Sequence, residues 1–436
     1  MNIEIFKEES EKLLYKMLNE PGWFSFFPSS FFWKEESIDI NNLYKKHFLE
    51  KKENNLYIHI PFCDKICLYC NCFKQKLSTT QEIDKYLQYL EKEIVLLYKL
   101  NNNSKIKIKN IFIWWWSPNI LNLTQLWILF WHIRTYFELE KKWEFLIDCH
   151  PNFLNREKIN LLYSNWINRI TIAVQSLDKK VLLLNNRDFY NLKTLKENIF
   201  YIKFLWIRIN IDVIIWLNWQ KINDIKKDLE FLENQKVDNI SNHYLMVSNN
   251  FKYEVWNEYQ SLIKTVKNLF KTKKLPKNSQ NILESDNTTT KKSTIWIWSS
   301  SVSNLYEKVI YQNESTLTKY YDKIEKNDLP FHRWLKLWLK EEMIKYIYLN
   351  IFSGIDTNNF FEIFWKNIFK EFYLEFDFLN KNNIIKLEDW VLKTNKNDFD
   401  TLIYFWIFFI NKFHKIKETK DMYKYYFLDD WSLIDR

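Results

Sequence analysis

Four of the chain's five cysteines fall within ten residues, in the run Leu56-Tyr-Ile-His-Ile-Pro-Phe-Cys63-Asp-Lys-Ile-Cys67-Leu-Tyr-Cys70-Asn-Cys72. The spacing C-x3-C-x2-C places the thiols of Cys63, Cys67 and Cys70 on one short loop. Each can reach a different iron of a single [4Fe–4S] cubane, and the fourth iron then stays open for a substrate or cofactor. Zinc fits less well, because no second C-x2-C or His-x3-His follows to close a tetrahedral site and His59 lies on the strand ahead of the loop. A disulfide pair in a secreted protein is the third reading, disfavoured by an amino terminus that does not look like a signal peptide.

The loop opens a stretch in which short β-rich apolar runs alternate with longer helical patterns, the rhythm of parallel βα units. Six strands are predicted between residues 55 and 250: Leu56–Pro61, Ile106–Ile113, Glu144–Asp148, Arg169–Val174, Arg208–Ile214 and Asn239–Met246. Between them lie helical stretches such as Gln81–Leu100, with Leu87, Leu90, Ile94 and Leu97 on one face. Six units predict an α/β fold, an open partial (βα)6 barrel whose site gathers at the carboxyl ends of its strands. Residues 1–50 are expected to form an amino-terminal arm and 51–265 the barrel. The segment 266–330 begins in a polar loop, Lys271–Ser293, and is expected to complete the site; 331–436 reads as a helical cap.

A chain of 436 residues can bury an ample core. Its net charge of +9 could suit an acidic ligand. Yet Lys, Asn, Ile and Phe are abundant throughout, as an A/T-rich genome would encode, and no basic run interleaved with spaced aromatics marks a nucleic-acid face. The apolar stretch Leu402 to Ile410 is shorter than the ~20 residues a membrane span takes. With an acidic, amphipathic amino terminus, a cytoplasmic protein and a monomer are expected.

The cysteine spacing and its Tyr-Ile-His-Ile-Pro-Phe lead-in resemble the radical S-adenosylmethionine (SAM) superfamily. Within it, the extra Cys72 resembles the oxygen-independent coproporphyrinogen III oxidases, where related haem chaperones carry an aromatic residue. The resemblance implies that SAM chelates the open iron through its amino and carboxylate groups. One electron from the cluster then gives methionine and a 5′-deoxyadenosyl radical, and the protein fixes the geometry and excludes water and oxygen.

Further segments carry the same resemblance. Ile170-Thr-Ile-Ala-Val-Gln175, with Arg187 twelve residues on, resembles the family's Val-Gln … Asn-Arg segment, and Ile209-Asn-Ile-Asp212-Val-Ile-Ile-Trp-Leu its Asn-Ile-Asp strand. Gln175, Arg187 and Asp212 would then bind the ribose hydroxyls and methionyl carboxylate of SAM, Arg by its bidentate fork. Asp212 could also be an ordinary turn residue. Asp148, in Leu146-Ile-Asp148-Cys-His-Pro151, stands where the family has Glu. Adjacent strand residues face opposite ways, so Cys149 and His150 are expected to be packing. By the same resemblance Tyr57 and Tyr69 contact SAM, though either could be packing. Trp115, Trp116 and Ser117 map onto a glycine-rich SAM strand, Met246 and Val302 onto further contacts. Cys72 lies beside the site as a catalytic residue, or is a bystander thiol.

Two glycines against twenty-one tryptophans is far from the usual ~7% glycine. Trp114-Trp115-Trp116-Ser117-Pro118 stands where the family has Gly-Gly-Gly-Thr-Pro. Ile295-Trp-Ile-Trp-Ser-Ser-Ser-Val-Ser303 resembles its Gly-x-Gly-x-Ser-Ala-x-Ser segment, and Trp206, Trp216 and Trp334 also fall on family glycines. The expectation is a codon read as glycine in the source organism and written here as tryptophan, against a tryptophan-rich protein as it stands.

The implied function is oxidative decarboxylation of coproporphyrinogen III propionates to vinyl groups, with an unidentified one-electron donor. The alternative is a haem-binding chaperone on the same fold. Tyr311-Gln-Asn-Glu…Lys319-Tyr-Tyr-Asp extends the resemblance. In contrast, the shortened Lys271–Ser293 segment and Phe24-Ser-Phe-Phe-Pro28-Ser, which lacks the family's arginine, depart from it.

Overall fold

The computed structural model describes residues 33–35, 37–50, 53–70, 73–114, 117–244, 265, 293–306, 308–351 and 354–395. Cys72, Trp115, Trp116 and Met246 lie outside the described residues, as do most of the polar loop and the apolar stretch 402–410.

After helix α1 (Ile40–Leu49), strand β1 (Asn54–His59) leads into a small parallel ladder of β2 (Phe62–Cys63) and β3 (Gln75–Lys76). Then come α2 (Thr80–Leu100), β4 (Ile106–Trp114), α3 (Leu123–Tyr136), β5 (Phe137–Cys149), α4 (Arg156–Ser164) and β6 (Arg169–Gln175). Helices α5 (Lys179–Leu184) and α6 (Leu192–Phe204), β7 (Arg208–Ile215), α7 (Ile222–Gln235) and β8 (Asn239–Tyr244) follow. Strands β1, β4, β5, β6, β7 and β8 lie side by side in chain order, all parallel, at the six places the sequence indicates. The third of these begins earlier than expected, because Phe137–Leu139 pair with Ile106–Ile108 ahead of an irregularity in the ladder.

The sheet does not stop at six strands. On the other side of β1, β9 (Ser293–Ile297) adds a seventh parallel strand, followed by antiparallel β10 (Val302–Leu305), β11 (Val309–Asn313) and, after α8 (Leu317–Glu325), β12 (Phe331–Leu335). Beyond it α9 (Leu339–Asn350), α10 (Thr357–Phe364), α11 (Ile368–Glu371) and α12 (Tyr373–Lys381) accompany a three-stranded sheet of β13 (Ile355–Asp356), β14 (Ile385–Glu388) and β15 (Val391–Thr394). These share a second apolar core around Phe360, Phe372 and Ile344, while the main core lies between the large sheet and its helices. Helix α2 buries Leu87, Leu90, Ile94 and Leu97, as its periodicity predicts.

Residue alternation gives the sheet one apolar, helix-covered face and one face rich in polar groups. Asn110 donates to Asn55 Oδ1 (3.1 Å) and accepts from the Glu144 N–H (3.0 Å). The Glu144 carboxylate pairs with Arg169 (3.3 Å) and Arg208 (2.5 Å). Asn210 accepts from Ser241 Oγ (3.0 Å) and Asn239 Nδ2, and donates to Asp212 Oδ1 (2.8 Å). Buried amides need such partners, so these bonds pin the register of neighbouring strands.

Among the described residues fifteen non-glycine residues have positive φ, and six are tryptophans: Trp166, Trp206, Trp216, Trp219, Trp365 and Trp390. A β carbon disfavours this region, which glycine enters freely. Trp206 is 94% exposed, so no apolar burial compensates it. Trp166 and Trp206 each occupy the position after the cap of a helix in a two-bond terminating motif (Trp166 N–H to Tyr163 O and Ile167 N–H to Leu162 O, both 3.1 Å). The equivalent pair after α6 is Trp206 N–H to Lys203 O, 2.9 Å, and Ile207 N–H to Ile202 O, 3.2 Å. Glycine is the usual occupant of that position.

Candidate functional site

The cysteine loop is held at both ends. Pro61 O accepts from the Gln75 N–H (2.7 Å) and Cys63 O from the Leu77 N–H (2.8 Å), which closes the loop at its base. Tyr86 on α2 donates to His59 O (2.8 Å) at the end of β1. The His59 ring donates through Nε2 to Phe73 O (2.9 Å), and burial pushes its pKa down to about 3, so it stays neutral. At its tip the loop docks on the segment after α5, with the Leu68 N–H to Asn185 O (3.1 Å) and Asn186 Nδ2 to Ile66 O (2.7 Å). An exposed Lys65–Asp188 ion pair (2.5 Å) lies at the same junction.

Cys63, Cys67 and Cys70 line one cavity together with Tyr69, Ser117 and Arg187. No disulfide joins the cysteines among the described residues, and Cys149 is buried in the main core. Burial pushes the Cys63 thiol up to about 12, the nearby Cys70, Cys67 and Asp64 add to this, and Arg187 opposes it. The buried Arg187 guanidinium donates to Cys67 Sγ (3.7 Å) and to Ala173 O. Burial works against its charge, but the neighbouring Tyr69 and Cys67 more than offset it and raise its pKa. A buried cation beside clustered thiols favours their thiolate forms, the forms that ligate metal. Among the described residues no three ligating groups converge on a single ion. A cubane does not require that, since each thiolate takes its own iron. The donor set therefore fits a cluster.

Of the other expected residues, Asp148, Gln175 and Asp212 sit in the carboxyl-terminal halves of parallel strands, towards the end where such sheets place their sites. Asp148 on β5 and Asp212 on β7 are both buried, and Ala173 faces Asp212 across the ladder while its carbonyl takes Arg187. Gln175 ends β6 at φ 65°, fully buried, with neither side-chain amide atom hydrogen-bonded. An amide buried in this way suits an incoming ligand. Tyr57 is not at the cavity; it stacks on Trp296 (4.2 Å, 19°), with Trp298 at 4.9 Å and Trp114 at 6.2 Å. Val302 packs in the second core with Ile310 and Leu335 rather than beside the cysteines.

Sequence reasoning missed His150, expected to be packing. It lines the cysteine cavity. The available signal was the two-residue period: if Cys149 faces the helices, Asp148 and His150 share the opposite face.

The structure matches that of coproporphyrinogen III oxidase (HemN) from Escherichia coli, described as a radical SAM enzyme, with a TM-score of 0.75 at 16% identity over 89% of this chain and 96% of that one. The chain shares the fold of that enzyme. By sequence it is similar to the haem chaperone HemW of Lactococcus lactis, 32% identical over 184 residues (42% of this chain, 47% of that protein). It is also similar to the oxygen-independent coproporphyrinogen III oxidases of Synechocystis sp. (28% over 237 residues, 53% and 46%) and E. coli (31% over 137 residues, 31% and 29%). The aligned part covers about half or less of each of these relatives. No family model matches the chain. Among the described residues, no helix is long and apolar enough to cross a membrane.

Proposed function

We propose that this protein is a radical SAM enzyme that decarboxylates the propionates of coproporphyrinogen III. The observation that carries the reading is the cavity in which Cys63, Cys67 and Cys70 meet the buried Arg187 guanidinium at the carboxyl ends of parallel strands. When bound, a [4Fe–4S] cluster and SAM would supply a 5′-deoxyadenosyl radical able to take a hydrogen atom from a propionate β-carbon, so that CO2 leaves, one electron passes to a one-electron acceptor and a vinyl group remains. Cys63, Cys67 and Cys70 would hold the cluster. Gln175, with its unpaired amide, and Asp212 and Asp148, with their buried carboxylates, would bind the polar groups of SAM; Tyr69 and Ser117 would bound its site. Arg187 supplies a charge that suits both thiolates and a carboxylate. Native glycine at the tryptophan positions of the 114–116 and 295–298 segments is part of this proposal, since close approach of a ligand to main chain leaves no room for indoles.

The second reading is a haem chaperone, favoured by the similarity to HemW. Anaerobic reconstitution with iron, sulfide and SAM tests both. The oxidase reading expects 5′-deoxyadenosine together with conversion of coproporphyrinogen III to protoporphyrinogen IX. Tight haem binding without porphyrinogen turnover would assign the chaperone. A protein that takes up no iron–sulfur cluster would overturn both.

A further inference from the structure

His150 lines the cysteine cavity, and the proposed function leaves it without a role. Its main chain is clamped by the buried Asn119: the His150 N–H donates to Asn119 Oδ1 (2.7 Å) and Asn119 Nδ2 donates to His150 O (2.9 Å). Its ring is fixed separately. Nδ1 accepts from the Asn152 N–H (3.2 Å), and Phe153 lies against the ring at 5.2 Å. A nitrogen that accepts a hydrogen bond carries no proton, so the imidazole is neutral and its proton is on Nε2. A short turn beginning at Pro151 supplies the Asn152 donor, so the tautomer is set by the local fold rather than by the cavity's contents.

We propose that His150 is a positioning residue whose Nε2–H donates to a sulfur of the cluster held by Cys63, Cys67 and Cys70, raising the cluster's reduction potential. The inference rests on the cluster reading above. Three observations carry it: His150 lines the cysteine cavity, its Nδ1 is engaged, and Nε2–H is therefore the ring's sole donor. Hydrogen bonds to cluster sulfurs are among the main means by which a protein sets the potential. Arg187 already donates to Cys67 Sγ from another loop, so His150 would be a second donor, independent of the first.

The test uses the full chain reconstituted with iron and sulfide alone, without SAM, and reads the cluster's midpoint potential by a redox titration followed by electron paramagnetic resonance. His150→Phe keeps a flat ring and removes the donor. It should bind iron as the parent does but titrate at a more negative potential, with the reduced-to-oxidised ratio at a fixed potential falling about tenfold, a 59 mV shift for one electron. His150→Gln keeps both an acceptor for the Asn152 N–H and a donor for the cavity, and should recover most of the shift. If His150→Phe loses iron, His150→Leu and His150→Gln are compared instead, and the same difference between them is expected. Equal potentials in donor and donor-less variants overturn the role of His150. A parent protein that assembles no cluster overturns the cluster reading itself, so the two failures are distinct.

Discussion

At Gln175 the chain carries a cost to stability that the proposed SAM site would account for. A buried amide with neither atom paired costs about 1–3 kcal/mol, and φ 65° on a non-glycine residue adds a further cost of the same order. Gln175→Met, of similar shape and without the amide, should raise the thermal midpoint of the unliganded protein and weaken SAM binding. A melt and a SAM titration check this; a variant that melts no higher and binds SAM as the parent does would make Gln175 a packing residue. Asp212→Asn should leave cluster uptake intact and reduce SAM affinity tenfold to a hundredfold, the ~1.5–3 kcal/mol of a charged hydrogen bond. Cys63→Ala should abolish the cluster's visible absorbance, since on the proposed reading each thiolate would be the sole protein ligand of its iron. Much of this was legible in the sequence. The three cysteines meet because their spacing encodes one loop, and Arg187 joins them from the segment after α5. His150 was not, because the strand's alternation continues one residue past its last ladder partner, Cys149. Tyr57 and Val302 were read from a resemblance, and the structure packs them among indoles and in the second core respectively.

Elements show a different balance between pattern and context. The six parallel strands could be read from β-rich runs because each is bounded by turn residues and a helix. The seventh, β9, could not, since its Ile295-Trp-Ile-Trp run carries bulky aromatics where its place beside β1 was encoded by distant pairing alone. On α2, Glu93 lies on the apolar face and is buried, with Asn313 Nδ2 (2.9 Å) and the Tyr320 hydroxyl (2.6 Å) donating to it from β11 and α8. Burial raises its pKa from 4.5 to about 8, against the lowering effect of Tyr320 and Asn313. A raised carboxyl pKa favours the folded state below pH 4.5, and that contribution is lost as pH rises through about 8. Denaturant titrations from pH 5 to 9 should therefore show stability falling, and Glu93→Gln should flatten the fall; parallel curves would assign it to other groups. Helix termini give a second test. Trp206→Gly should stabilise the protein by about 1–3 kcal/mol, because the exposed indole contributes little burial to set against its positive φ. Trp166→Gly should gain less, since it also removes the ring over which the Arg134 guanidinium lies at 5.9 Å. Urea unfolding of both variants measures the difference.

For the whole molecule, the tryptophans decide whether fold and proposed chemistry are compatible. Among the described residues the backbone holds six of them in conformations that suit glycine, at helix ends and turns in several parts of the fold. Restoring glycine at all twenty-one positions would bring the chain close to the ordinary glycine content. Near the strand ends Trp114, Trp296 and Trp298 crowd around Tyr57, and Trp298 also lies 4.4 Å from the His59 ring at the base of the cysteine loop. The cavity lining the cysteines involves none of them among the described residues. Iron binding and SAM binding should therefore separate. Made with tryptophan as written, the protein should take up iron through Cys63, Cys67 and Cys70 yet bind SAM poorly, because indoles fill space that a nucleoside needs beside main chain. Made with glycine at all twenty-one positions, it should melt higher, bind the same iron, bind SAM and release 5′-deoxyadenosine under reducing, anaerobic conditions. Intact mass of protein from the native host supplies an independent reading, since each tryptophan-to-glycine difference changes the mass and the absorbance at 280 nm. If the tryptophan form cleaves SAM as well as the glycine form, indoles do not block the cofactor, and the steric argument for native glycine at the site is lost.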